Sequence, residues 1–179
     1  NTGYNNQTYM YFIRGMVPNF NTDWFKQNWR PGEEGITQTT PFSNLLDNPY
    51  TIAYDMINGQ NRNNFIGNVQ VDYKFNDFFS AMVRSGIDFS HDKRNQRRPF
   101  DTYRYANGYY REQAIYSQEI NSDFLLRYNN DTGKNFKYGA SVGGSMVNNK
   151  YDKNDLFTKR LVYPNVYNFA NSADVLTYN

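Results

Sequence analysis

The five residues Gly139-Ala140-Ser141-Val142-Gly143 carry the G-x-S-x-G spacing that lifts a nucleophilic serine out of a strand-to-helix turn. That chemistry also needs an acid and then a histidine later in the chain, and no histidine follows Ser141. The single histidine is His91, and the glycines continue a two-residue alternation through Gly144, so they read as narrowing one face of a strand or bending it. With one His and no Cys there is neither thiolate catalysis nor a zinc set of the usual kind, and no phosphate-cradling glycine loop occurs. Asp152, Asn154 and Asp155 crowd carboxylates together but lack the glycine and the terminal glutamate of an EF-hand loop. The expectation is therefore no catalytic, cofactor-binding or metal-ligating residue, no cofactor, and no enzymatic activity.

What remains is recognition chemistry. Flat rings stack on sugar faces and carboxamides satisfy hydroxyl or peptide groups, which makes Trp24, Trp29, Tyr103, Tyr105, Tyr109 and Tyr110, set among Asn21, Asn28 and Asn107, the substrate-contact candidates. The basic run from His91 to Arg98 has the guanidinium geometry for phosphate, but reads first as a solvated segment paired with Asp92, Asp101 and Glu112. A net charge of +2, from 19 basic and 17 acidic side chains, is too even for a nucleic-acid surface, so no nucleic-acid partner is expected.

The elements that would position these groups are strands. Aliphatic core-builders are scarce beside 17 Tyr, 14 Phe and 27 Asn, a mixture that suits strands joined by polar loops better than an aliphatic-cored enzyme or a disordered tail. From residue 63 onward the chain alternates with period two. Phe65, Val69, Val71, Tyr73 and Phe75 share one face against Asn68, Gln70, Asp72 and Lys74; Phe79, Ala81, Val83, Ile87 and Phe89 oppose Met82, Arg84 and Asp88. Ile120, Phe124, Leu126 and Tyr128 oppose Asp123 and Arg127, and Phe136, Tyr138, Ala140, Val142 and Met146 oppose Lys137. Asn76-Asp77 and the stretch Asn130 to Lys134 carry turn chemistry.

Four strands follow, at about 64–75, 78–90, 118–129 and 135–147, with a long loop over 91–117 and loop regions over 1–62 and 148–179. Short turns at one end and long loops at the other is the arrangement of outer-membrane barrels, and about 11 residues at roughly 3.3 Å each, tilted by roughly 45°, cross an apolar band about 25 Å tall. Aromatic residues gather toward the strand ends, as girdles at the two interfaces require. A soluble antiparallel sheet packed on an aromatic core would alternate in the same way. Four strands cannot close a membrane barrel, whose smallest form has eight, so the expected fold is all-β: antiparallel up-and-down strands forming an arc of a large transmembrane β-barrel with its long loops at one end. The first residues carry no initiator Met and no leader pattern, and the chain reads as an excerpt of a longer one.

In order along the chain, Asn48-Pro49-Tyr50, the stretch Asn61 to Val69, the stretch Met82 to Asp88, Tyr110-Arg111-Glu112-Gln113, and the stretch Glu119 to Leu126 resemble the TonB-dependent outer-membrane transporters of the SusC/RagA type, found in Bacteroidetes. The resemblance covers about residues 45–175, and residues 1–44 look like the preceding outer loop. It implies a plugged barrel in the bacterial outer membrane that imports oligosaccharides or peptides delivered under a SusD-like surface lipoprotein, energised by TonB through a plug that has no counterpart in these residues. In such a wall Val69, Val71, Ala81, Val83, Ile87, Leu126, Ala140 and Val142 would face outer-membrane lipid. Gln70, Asp72, Lys74, Arg84, Asp88, Asp123, Arg127 and Lys137 would face the lumen, with Asp72 or Lys74 paired to Arg84 and Asp88. The alternative from another class is a soluble or surface-attached carbohydrate-binding β-domain that uses the same aromatics.

Overall fold

The computed structural model describes residues 19, 21–40, 46–130 and 136–178. The chain is all-β: one open antiparallel sheet in the order β1 (Asn58–Lys74), β2 (Phe79–Thr102), β3 (Tyr105–Asn130), β4 (Tyr138–Thr158) and β5 (Thr177–Tyr178). Among the described residues helical structure is confined to single turns, the 3-10 turns Thr22–Phe25 and Phe169–Asn171 and a π-type turn at Thr51–Asp55.

The first hairpin forms where the turn chemistry predicts it. The Asn76 side-chain oxygen accepts from the backbone N–H of Phe78 at 2.9 Å and of Phe79 at 2.8 Å, while the Phe75 N–H donates to the Phe79 carbonyl at 2.9 Å. The turn expected after Asn130 falls on residues 131–135, outside the described residues.

The second connection differs from expectation. Residues 91–117, read from the sequence as a long loop, are the distal parts of β2 and β3 joined by a turn at Tyr103-Arg104. The Thr102 hydroxyl closes this turn on the Tyr105 carbonyl at 3.1 Å, and Asp101 enters it with a left-handed backbone, φ 59°, which a short polar side chain tolerates. Alternation is lost in this stretch because charged and aromatic residues occupy both faces, so period two could not report the strands. The tail is likewise not all loop: β4 runs on to Thr158, and Leu156 and Phe157 pair with Tyr178 and Thr177 of β5.

The chain divides into two compact units. One comprises Asn1–Asn61, Lys93–Ala114 and Asn154–Asn179, the other Arg62–Asp92 and Ile115–Lys153. The first has a small core of Phe25, Met56, Tyr109, Tyr110 and Leu161, surrounded by buried polar groups. Asn48, fully buried, is saturated there: its amide donates to the Thr39 carbonyl at 2.8 Å and the Phe25 carbonyl at 3.2 Å, its oxygen accepts from the Tyr50 N–H at 2.8 Å, and its own N–H donates to Gln38 Oε1 at 3.0 Å. Asn171 does the same for the 161–174 segment, donating to the carbonyls of Tyr163 and Val166, each at 2.7 Å. Where aliphatic residues are few, carboxamides hold loop backbone that would otherwise be buried without partners. Gly108, at φ 75°, lies where an added Cβ would come within 3.0 Å of Leu161 and Phe100.

Among the described residues the second unit is strands and the turn at Asn76. Its long residues stand exposed on both faces, and no described segment covers either one.

Candidate functional site

The site is the two-sided sheet of the second unit. In β1 to β4 the apolar positions form one face, as side-chain contacts between neighbouring strands establish. The hydroxyls of Ser85 and Ser122 lie 3.0 Å apart across β2 and β3, the rings of Phe79 and Tyr128 are 4.7 Å apart, and Tyr128 meets Tyr138 of β4 at 6.1 Å. Val69, Val71, Val83, Leu126, Val142 and Met146 on that face are all exposed, Val69 by 68% and Val142 by 67%. Among the described residues no second layer covers this valine row, as one would on the inner face of a sandwich.

The apolar row is bounded by rings. At the turn end Tyr73 and Phe75 pack edge to face at 4.9 Å, beside the ring cluster of Phe78, Phe79, Tyr128 and Tyr138. At the other end Phe89 meets Tyr116 at 5.9 Å, and the Lys150 ammonium sits 5.7 Å from the Tyr116 ring centre. Ten residues separate Phe79 from Phe89. At roughly 3.3 Å per residue and a tilt of about 40°, that spacing projects to about 25 Å, the height of the apolar band in outer-membrane barrels. Tyr116 and Lys150 were not among the sequence candidates, although Tyr116 follows from counting back in twos from Ile120.

The opposite face carries the polar row. Arg84 of β2 pairs with Asp123 of β3 through Nε to Oδ2 at 2.9 Å, Gln70 donates to Asp72 at 2.7 Å, and Lys74 reaches Asp77 at 3.1 Å. The expected pairing of Asp72 or Lys74 with Arg84 and Asp88 is therefore replaced by partners across β2 and β3 and within β1 and its turn. Arg84 lies directly opposite Asp123 in the register that sets Ser85 against Ser122, and sequence alone does not fix that register. Arg127 lines the same small hollow as Asp72 and Lys74 at the turn end. Ser141 is an ordinary strand residue of β4, and neighbouring Gly143 lies where an added Cβ would stand 2.7 Å from the Phe124 carbonyl, so close strand approach accounts for that glycine.

The substrate-contact candidates scatter through the first unit. Trp24 and Tyr103 are exposed, whereas Trp29 is half-buried, bridged to Gln38 and bonded to the Asp55 carboxylate. Tyr105 stacks on Tyr109 at 4.4 Å. Tyr109 and Tyr110 are buried, Tyr110 against Phe169 at 5.0 Å with its hydroxyl on Glu112, so these two are core residues rather than ligand platforms. Burial pushes the Tyr109 phenol up, and burial with the Glu112 carboxylate pushes Tyr110 up to about 12.

The basic run is also partly absorbed. Arg98 is buried, donating to the Arg97 carbonyl at 2.8 Å and to Asn58 Oδ1 at 2.9 Å, and Arg97 lies 5.4 Å from the Tyr167 ring centre. Burial holds the Arg98 guanidinium below its ordinary value. Of the expected partners Asp92, Asp101 and Glu112, Asp101 accepts from the Gln38 N–H and Glu112 from the Tyr110 hydroxyl.

In the Asp152, Asn154, Asp155 cluster both Asp155 oxygens are engaged, by Arg111 and by Gln113 at 2.8 Å, and Asp152 faces Lys150 at 3.4 Å. Among the described residues no group of three acidic, His or Cys side chains converges.

No family model and no curated protein matches this chain. Among solved structures it is similar to a cryo-EM structure of the gasdermin A3 membrane pore, at 11% identity over 93% of this chain and 95% of that one, with a TM-score of 0.21. A likeness of that size carries no argument about relationship. No helix of the described residues is long and apolar enough to cross a membrane, and the all-β architecture is compatible with a membrane protein that crosses with strands.

Proposed function

We propose that this chain is an arc of the wall of a TonB-dependent outer-membrane transporter of the SusC/RagA type, which imports oligosaccharides or peptides beneath a SusD-like surface lipoprotein. The observation that carries the reading is the exposed apolar row of β1 to β4, closed off by rings at both ends and backed by a polar row on the opposite face. In lipid an open sheet edge has no partner for its backbone groups, so β1 and β4 would continue into further strands and the sheet would close. The role of this piece is passive and non-enzymatic, with no cofactor: an apolar wall toward the outer-membrane lipid and a polar wall toward the lumen. TonB would act through a plug that these residues do not supply.

Nitroxide labels placed one at a time in the complete protein in lipid nanodiscs test it. Labels at Val69, Val83, Leu126 and Val142 are expected to meet lipid-dissolved oxygen, and labels at Gln70, Arg84, Asp123 and Arg127 to meet a water-soluble relaxation agent. Water accessibility of both rows, with the native protein in the soluble or peripheral fraction, would replace this reading with a soluble or surface-attached carbohydrate-binding β-domain.

A further inference from the structure

A groove of about 590 Å3 lies wholly within the first unit, where β1 to β4 run side by side next to the 3-10 turn that carries Phe169. A volume of that order holds a small ligand. Five carboxamides line it, those of Gln60, Asn61, Asn95, Gln113 and Asn154, together with the cations of Lys93 and Arg94 and the carboxylate of Glu112. Ala114, Leu156 and Phe169 supply its apolar surface. Hydrogen bonds within the protein sort the polar groups. Gln113 gives its amide to Asp155 at 2.8 Å, and Gln60 and Arg94 have contacts of their own. Asn95 Oδ1 accepts from the Gly59 N–H at 3.1 Å, Asn154 Oδ1 from the Tyr178 hydroxyl at 2.7 Å, and Glu112 from the Tyr110 hydroxyl. Each of those bonds takes up one oxygen and orients its side chain. The Asn95 and Asn154 amide hydrogens and the second Glu112 oxygen are left for a ligand, beside the exposed Asn61 and Lys93.

These groups select against most ligand classes. The donors are chiefly neutral carboxamides, and the Lys93 charge is offset by Glu112, so the set suits uncharged hydroxyls rather than a phosphate or a further carboxylate. A peptide main chain adds to a sheet at its edge, whereas β2 and β3 each have a strand on either side and no unpaired edge to offer. Flat amides carried on strands about 4.8 Å apart reach hydroxyls spread around a ring, and Phe169 with Leu156 presents the surface that the C–H face of a pyranose needs.

We propose that this groove binds a neutral oligosaccharide, with Asn61, Lys93, Asn95 and Asn154 donating to its hydroxyls, Glu112 accepting from them, and Phe169 flanking a sugar ring. The proposal rests on the transport reading for making that saccharide, and not a peptide, the cargo. Binding itself needs only the first unit.

The test titrates the complete protein in detergent, by calorimetry, with cellotriose, mannotriose, xylotriose and galactotriose, and in parallel with trigalacturonate and trialanine. At least one of the neutral trisaccharides is expected to bind with a Kd of about 0.1–1 mM. Asn61→Ala with Lys93→Ala, two exposed positions, is expected to weaken that binding about ten-fold while folding is unchanged. Glu112→Gln, which keeps an oxygen for Tyr110, gives a second variant and is expected to weaken it about three-fold. Trp24→Ala, which removes an exposed ring outside the groove, is expected to leave it unchanged. Absence of binding to every neutral trisaccharide, binding that survives both groove variants, or loss of binding with Trp24→Ala overturns the proposal. So does tighter binding of trigalacturonate or of trialanine. A failure of the transport reading shows instead in the nitroxide accessibilities of the apolar row in nanodiscs and leaves trisaccharide binding in detergent intact, so the two failures are read separately.

Discussion

Arg84 and Asp123 join β2 to β3 across the polar face, Nε to Oδ2 at 2.9 Å, while one residue away the Ser85 and Ser122 hydroxyls meet on the apolar face at 3.0 Å. One register thus sets both contacts, and a slip of one residue would exchange the two faces. The pair remains half-exposed on the Arg84 side. A double-mutant cycle with Arg84→Ala and Asp123→Ala should give a coupling of about 0.2–1 kcal/mol that shrinks in 1 M salt. A salt-insensitive coupling of about 3 kcal/mol would show the pair sealed from water instead.

Val83 lies near the middle of the span from Phe79 to Phe89, on the apolar face. Val83→Arg should cost about 2–4 kcal/mol of folding free energy in lipid vesicles, and Met82→Arg, on the other face, less than about 1 kcal/mol. Folding yield against urea in vesicles measures both. Equal costs at the two positions would contradict a one-sided lipid contact.

Asn48 donates its side-chain amide to two backbone carbonyls, those of Phe25 and Thr39. Asn48→Ala removes both donations, together with the buried carboxamide's bond from the Tyr50 N–H, and should destabilise the first unit by about 3 kcal/mol. Asn48→Asp should cost more, because it turns an acceptor toward two acceptors. Unfolding followed through the half-buried Trp29 reads the loss, and an unchanged midpoint would show that water replaces the amide.

Tyr110 and Tyr167 are pushed up to about 12, Tyr110 by burial and the Glu112 carboxylate, Tyr167 by burial and Asp55 against the opposing charge of Arg97. A phenol whose folded value lies above its unfolded value of 10 contributes stability that is complete below pH 10 and is lost as pH rises toward 12. Tyrosinate absorbance should therefore show a late-titrating class, and the first unit should unfold in that window. Tyr167→Phe should remove part of the alkaline loss. A single titration of all tyrosines at the ordinary value would refute the burial of these rings.

The strands of the second unit and the division of their side chains between two faces are legible in the sequence, because alternation is a local consequence of the pleat and needs no knowledge of neighbours. The Asn76 turn is legible for the same reason, its capping oxygen lying two and three residues from the groups it binds. Residues 91–117 hid their strand character, since there Asp101, Arg98 and Arg111 answer through their side chains to Gln38, Asn58 and Asp155, and Tyr103 through its backbone N–H to Asp47, rather than to a uniform solvent on each side. Only the tertiary structure decided that Tyr109 and Tyr110 are core, that Arg84 takes Asp123, and that Asn61, Lys93, Glu112 and Asn154 line one groove. Each of those facts depends on register between strands, and backbone pairing energy is nearly the same in every register until the side chains are seated.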